Sequence, residues 1–108
     1  MHNPVSSDSN NNINGIYCIL IGMIWSRPGL EKKFRSMLCL AMLTALNRPH
    51  ELELHLTSAI NNGCSVEEIR ETLLHTVPYC GIPATLDAIK VAERVLSEKG
   101  LLPMEPNE

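Results

Sequence analysis

Aromatic residues are nearly missing from this chain, with one Trp, two Tyr and one Phe among 108 residues. A core built from such a sequence has to be aliphatic, made of Leu, Ile, Ala and Met. Cations are scarce too: 9 Lys and Arg stand against 12 Asp and Glu, a net charge of −3. With no basic patch and no aromatics interleaved with cations, nucleic acid is not an expected partner. Cysteine occurs at Cys18, Cys39, Cys64 and Cys80, never as C-x-x-C. That spacing signals neither a zinc knuckle nor a thioredoxin-like redox pair. Cys39 and Cys80 lie among apolar residues and are expected to behave as small hydrophobes in a reducing, cytoplasmic compartment. Clean period-two alternation is absent, so the pattern predicts an all-α fold. The long apolar run, residues 13–25, is too short for a comfortable membrane span. No Lys or Arg precedes it and no small-residue cleavage site follows, unlike a signal peptide. It is expected to pack on the domain or on a neighbouring subunit, because left exposed it would promote aggregation.

The spacing predicts an Asn- and Ser-rich disordered lead-in over residues 1–12, one helical domain over 13–100 and a frayed tail over 101–108. Ser26–Leu30 is a turn centred on Pro28 and Gly29. Residues 31–46 follow as a helix whose expected buried stripe is Phe34, Met37, Leu38, Ala41 and Ala45. The next helix comes with its punctuation attached: Asn47 to close its predecessor, Pro49 in its first turn and Gly63 beyond its last. On it His55 shares the apolar face of Leu52 and Ala59, with Glu51 one turn earlier. A ring so placed is either a satisfied core histidine or a working acid–base group. Ser65-Val66-Glu67-Glu68 is a capping box. The helix it opens turns Val66, Ile69, Leu73 and Val77 inward, with Glu68, Glu71, Thr72, His75 and Tyr79 on an adjacent stripe. Pro78 must kink or end it. The last helix, 83–99, carries Leu86, Ile89, Ala92 (or Val91), Val95 and Leu96 inward.

Several dense motifs, in this order, resemble the carboxymuconolactone decarboxylase family. They are Trp25-Ser-Arg-Pro-Gly-Leu30, Arg35-Ser36, Ala45-Leu-Asn-Arg-Pro-His-Glu-Leu52, His55, Asn62-Gly63, Glu68-Ile-Arg-Glu71 and Tyr79-Cys-Gly-Ile-Pro-Ala84. The resemblance covers residues 22 to about 98 and is nearest the γ-carboxymuconolactone decarboxylases of protocatechuate breakdown. It implies a cofactor-free, all-helical protomer of the alkylhydroperoxidase-like type in a ring-like homo-oligomer, often a hexamer. Alkylhydroperoxidase-like relatives carry C-x-x-C-x-x-x-H. Laid on His55, that pattern puts its two cysteines at Arg48 and Glu51, which removes the thiol chemistry and leaves the histidine. Two departures stand out. The portion before Trp25 reads as shorter than the family's helical one, and Pro78 replaces a small apolar residue.

The reaction the resemblance implies converts 4-carboxymuconolactone to 3-oxoadipate enol-lactone in the β-ketoadipate pathway. Loss of CO2 drives electrons through a double bond onto the lactone carbonyl, and the resulting oxyanion is protonated on carbon. No metal or cofactor is required, because the conjugated carbonyl is the electron sink. Arg27, Arg35 and Arg48 are the candidates for holding the retained carboxylate. His55, oriented by Glu51, is the first candidate proton donor. His75, with Glu71 in the same spacing, is the second. Two Glu-x-x-x-His pairs also raise a metal site between helices, but a di-metal bundle supplies more inward carboxylates, so none is expected. The alternative reading is a non-catalytic, truncated helical module that keeps the oligomeric scaffold.

Overall fold

The computed structural model describes residues 4–102, with side chains from residue 13 onward. Six helices follow one another: α1 (Pro4–Trp25), α2 (Lys32–Ala45), α3 (Pro49–Asn61), α4 (Val66–His75), α5 (Val77–Cys80) and α6 (Ile82–Glu98). Among the described residues there is no strand, as the missing alternation predicts. The chain divides into two compact units between Leu30 and Glu31. The division falls at the Pro28-Gly29 turn, where the helical hydrogen-bond ladder stops.

The first unit is α1 and its turn. The helix starts at Pro4 and so takes in residues 4–12, which composition alone assigns to a disordered lead-in. Once the apolar run beyond Ile13 is helical, each further residue adds one backbone bond without a new nucleation step, and Pro4 sits where a first turn tolerates a missing N–H. Residues 1–3, and 103–108 of the expected tail, lie outside the described residues. Ile13, Ile16, Tyr17, Ile19, Leu20, Met23 and Ile24 are each more than half exposed. Ser26 N–H closes α1 on Gly22 O at 3.0 Å.

The second unit is the bundle α2–α6. Its core is the aliphatic set that the composition requires: Leu40, Leu52, Leu56, Ala59, Ile69, Leu73, Ala88, Ala92, Val95 and Leu96. Asn47 closes α2 at φ 57°, a left-handed conformation that Asn tolerates better than most residues. This reverses the chain in three residues, so α3 runs back along α2. Asn62 Nδ2 then donates to Ser36 Oγ at 2.9 Å, tying the end of α3 to the start of α2. Arg94 on α6 grips Glu53 on α3 at 3.1 Å.

The capping box at the head of α4 is complete. Glu68 N–H donates to Ser65 Oγ at 3.0 Å and Ser65 N–H to Glu68 Oε1 at 2.9 Å. The same carboxylate meets Lys33 of α2 at 2.9 Å. These contacts hold the Glu68 carboxyl below its ordinary range, first through the Ser65 backbone N–H and then through Lys33. α4 ends at His75, and Pro78 falls in the first turn of α5. At this break Thr76 Oγ1 donates to Leu73 O at 2.6 Å, so in its 2.7 Å contact with Thr85 Oγ1 the Thr85 hydroxyl is the donor.

One helix, α2, buries a face other than the expected one. On α2 the buried residues are Ser36, Leu40 and Thr44, while Phe34 and Leu38 remain 41% and 53% exposed. Residues 37–43 are apolar almost without interruption, so periodicity alone does not choose between faces. The small hydroxyls can go inside because each is satisfied: Thr44 Oγ1 donates to Leu40 O at 2.8 Å, and Ser36 accepts from Asn62. On α6 Ala92, Val95 and Leu96 are buried as expected and Thr85 and Ala88 join them, whereas Leu86 is 49% exposed.

Candidate active site

The inverted face of α2 has a direct consequence. Met37, which packs partly against the core, forms with Leu38 and Ala41 one wall of an open cavity of about 420 Å³, with Glu71, Thr72 and His75 of α4 as the other. The volume falls in the range of small-molecule sites. Thr72 Oγ1 is turned back onto Glu68 O at 2.7 Å, so Glu71 and His75 supply the polar chemistry here. They stand one turn apart because α4 is regular between its capping box and Pro78. His75 is exposed, and its ring lies 5.6 Å from that of Tyr79, tilted by 45°.

His55 is not among the residues lining this cavity. It sits half-buried on α3, and its Nδ1 is sealed from solvent with no hydrogen-bond partner. Glu51 is exposed, and its carboxylate makes no bond to Nδ1. The arginines are dispersed. Arg27 is exposed in the turn after α1, in the first unit. Arg35 precedes the wall residues on α2 and does not line the cavity. Arg48 caps α3 and borders a cleft of only about 20 Å³ with Asn47 and Asp87. Spacing assigns Met37, Leu38 and Ala41 to the buried stripe of α2 and not to a site, and the structure instead sets them beside α4 as a cavity wall.

A second cavity, about 240 Å³, opens between α4 and α6. Aliphatic side chains line it, with Arg70 and Glu93 as its charged members. It holds no imidazole or thiol. The four cysteines are unpaired, and burial pushes the Cys39 and Cys64 thiols up, away from the reactive thiolate. Among the described residues, no three His, Cys, Asp or Glu side chains converge as a metal-ligand set. No described helix is long and apolar enough to cross a membrane.

An all-helical bundle with an acid–base pair over an apolar floor suits proton chemistry on a small molecule. The comparisons with known proteins narrow this: the carboxymuconolactone decarboxylase family profile matches residues 18–94, and the chain belongs to that family. A 4-carboxymuconolactone decarboxylase of Acinetobacter baylyi is 41% identical over 87 residues, covering 81% of this chain and 65% of that protein. A nitrosuccinic acid decarboxylase of Metarhizium robertsii is 42% identical over 77 residues, 71% of this chain and 54% of that protein. A 15.0 kDa protein of Paracoccus denitrificans is 30% identical over 80 residues, 72% of this chain and 60% of that protein. The chain thus spans between 54% and 65% of the length of these curated relatives.

Proposed function

We propose that the chain is a cofactor-free carboxy-lyase for a small dicarboxylate whose departing carboxylate sits beside a conjugated electron sink. The first substrate to test is 4-carboxymuconolactone, giving 3-oxoadipate enol-lactone in cytoplasmic protocatechuate catabolism. The observation that carries the reading is the cavity between α2 and α4, with Glu71 and His75 facing Met37, Leu38 and Ala41. A carboxylate that leaves as neutral CO2 loses its charge, so an apolar wall opposes the starting state more than the product. The electron pair of the broken C–C bond passes through the ring double bond onto the lactone oxygen. His75, with Glu71 one turn behind it, then delivers the proton to carbon.

The names of the two decarboxylase relatives support the same class. Nitrosuccinic acid carries its nitro group on a carbon that also bears a carboxylate. Loss of CO2 there leaves a nitronate, a planar oxyanion protonated on carbon as the lactone's is. Both molecules retain one carboxylate, which calls for an Arg. Within the bundle neither Arg35 nor Arg48 lines the cavity, so the proposal includes a homo-oligomer, a hexamer on the family resemblance, in which a neighbouring copy brings a cation to the cavity mouth. The exposed Phe34, Leu38, Met42, Leu46, Tyr79, Ile82 and Leu86 of the bundle, and the apolar α1, supply surface for such contacts. Purified protein should consume the lactone, seen as loss of its ultraviolet absorbance, and a His75→Ala variant should not keep pace. An oligomer that never consumes lactone or nitrosuccinate would favour a non-catalytic scaffold.

A further inference from the structure

The cavity between α2 and α4 adjoins an ion pair that joins the same two helices. Lys33 Nζ on α2 meets Glu68 Oε2 on α4 at 2.9 Å. Lys33 precedes Met37 by four residues, and Glu68 precedes Thr72 by four. The bridge therefore stands one turn, about 5.4 Å along the axis, from the wall residues of both helices. On both, the cavity lies to its C-terminal side. Neither end of the bridge is loose. The other carboxylate oxygen of Glu68, Oε1, accepts the Ser65 N–H at 2.9 Å. The backbone oxygen of Glu68 accepts the Thr72 hydroxyl at 2.7 Å, so the same residue is bonded to the cavity wall itself. On α2, the Lys33 carbonyl accepts the Cys64 thiol at 3.4 Å, from the segment that leads into α4.

An ion pair whose side chains are 30% and 34% exposed adds little to stability, so its use is geometric. Apolar packing is non-directional, and wall residues on either side of an open cavity fix no distance across it. The directional contact beside the cavity does. We propose that the Lys33–Glu68 bridge is the spacer of the α2–α4 gap, setting how far Glu71 and His75 stand from the Met37–Leu38–Ala41 wall. Lys33 and Glu68 are thereby positioning residues, and neither touches the bound molecule. The consequence for catalysis rests on the reading of the chain as a decarboxylase. There a substrate seated against the apolar wall of α2 presents the carbon to be protonated to His75 on α4, across a gap that its own skeleton spans. A gap held too wide leaves the acid short of that carbon, and a misplacement of about 1 Å costs about 10²-fold in rate.

The test is a graded series at Lys33, which spares both capping-box residues. Lys33→Arg keeps the bridge, Lys33→Met removes it, and Lys33→Glu sets two carboxylates against each other. Crystal structures should show the α2–α4 separation at Ala41 and His75 unchanged in Lys33→Arg, wider in Lys33→Met and widest in Lys33→Glu. The expected widening is on the order of 1 Å, the displacement that matters for rate. An unchanged separation in Lys33→Glu overturns the spacer, whatever the protein's activity, and Lys33→Met carries the test alone if the reversed charge unfolds the chain. With lactone as substrate, Lys33→Glu should lose about 10²-fold in kcat, Lys33→Met less, and Lys33→Arg should stay near wild type. The loss falls on kcat more than on KM, because the reach of the acid is what changes. A bridge that serves folding alone would lower the unfolding midpoint and leave the kcat of the folded variants untouched, and that result would sink the positioning role. A wild-type chain that consumes no lactone would instead count against the decarboxylase reading, and the measured separations would still decide the spacer.

Discussion

Two Glu-x-x-x-His pairs stand on successive long helices of this bundle, identical in spacing and opposite in circumstance. On α3, His55 shares a helix face with Leu52 and Ala59, and one of its nitrogens is walled in. On α4, His75 is exposed over an open cavity, with Glu71 beside it on the same wall. Spacing brings a carboxylate and an imidazole onto one side of a helix, but what the helix packs against decides their chemistry. α3 lies between α2 and α6, tied to both through Asn62 and Glu53, so its face is largely used up. α4 meets α2 along a stripe where α2 presents Met37, Leu38 and Ala41 without closing over them.

The contrast is sharpest in turnover. Replacing His75 by Ala should lower kcat by about 10²–10⁴, the range for losing a general acid. Because the ring is exposed, stability should stay within about 0.5 kcal/mol of wild type in urea unfolding. An unchanged kcat would erase the distinction between the two pairs. Next in size is a stability effect on the closed side. Leu56 adjoins His55 and is 0% exposed, so Leu56→Ala should cost about 2–5 kcal/mol by the same unfolding measurement. A loss below 1 kcal/mol would mean that the α3 face is less filled than it looks.

A smaller loss is expected at the head of α4. Ser65→Ala removes the acceptor for Glu68 N–H and should cost about 1 kcal/mol, followed by thermal unfolding. The smallest effect concerns pH. The Glu68 carboxyl is depressed in the folded chain, so the folded state binds its proton less tightly than the unfolded state does. Its contribution to stability is present above the ordinary carboxylate range and is lost as pH falls through the folded value. Glu68→Gln should therefore flatten the acid limb of a stability–pH curve. An acid limb of unchanged slope would remove Glu68 from that account.

Much of this arrangement is legible in the sequence where the determinants are local. Asn47, Pro49, Gly63, the Ser65–Glu68 box and Pro78 each act on their own backbone or within one turn, and the helix ends follow them. The i,i+4 placing of Glu71 and His75 is local in the same sense. The face that α2 buries is not. Leu38, Leu40 and Met42 are equally apolar, and only the Asn62–Ser36 bond and the self-satisfied Thr44 hydroxyl show why the Ser36–Leu40–Thr44 side turns inward. The cavity wall was hidden for the same reason. The sealing of the His55 Nδ1 is further from the sequence still, because it depends on a few ångströms of packing around one ring.

The central claim is the proposal that this protein decarboxylates an activated dicarboxylate without a metal or cofactor, with His75 as the acid. The most direct measurement is the rate of lactone absorbance loss with purified, chelator-treated protein, wild type beside His75→Ala. The account predicts steady consumption by the wild type without added metal and a rate about 10²–10⁴ lower in the variant. Consumption that appears only when a divalent metal is restored, or that His75→Ala leaves untouched, would contradict it.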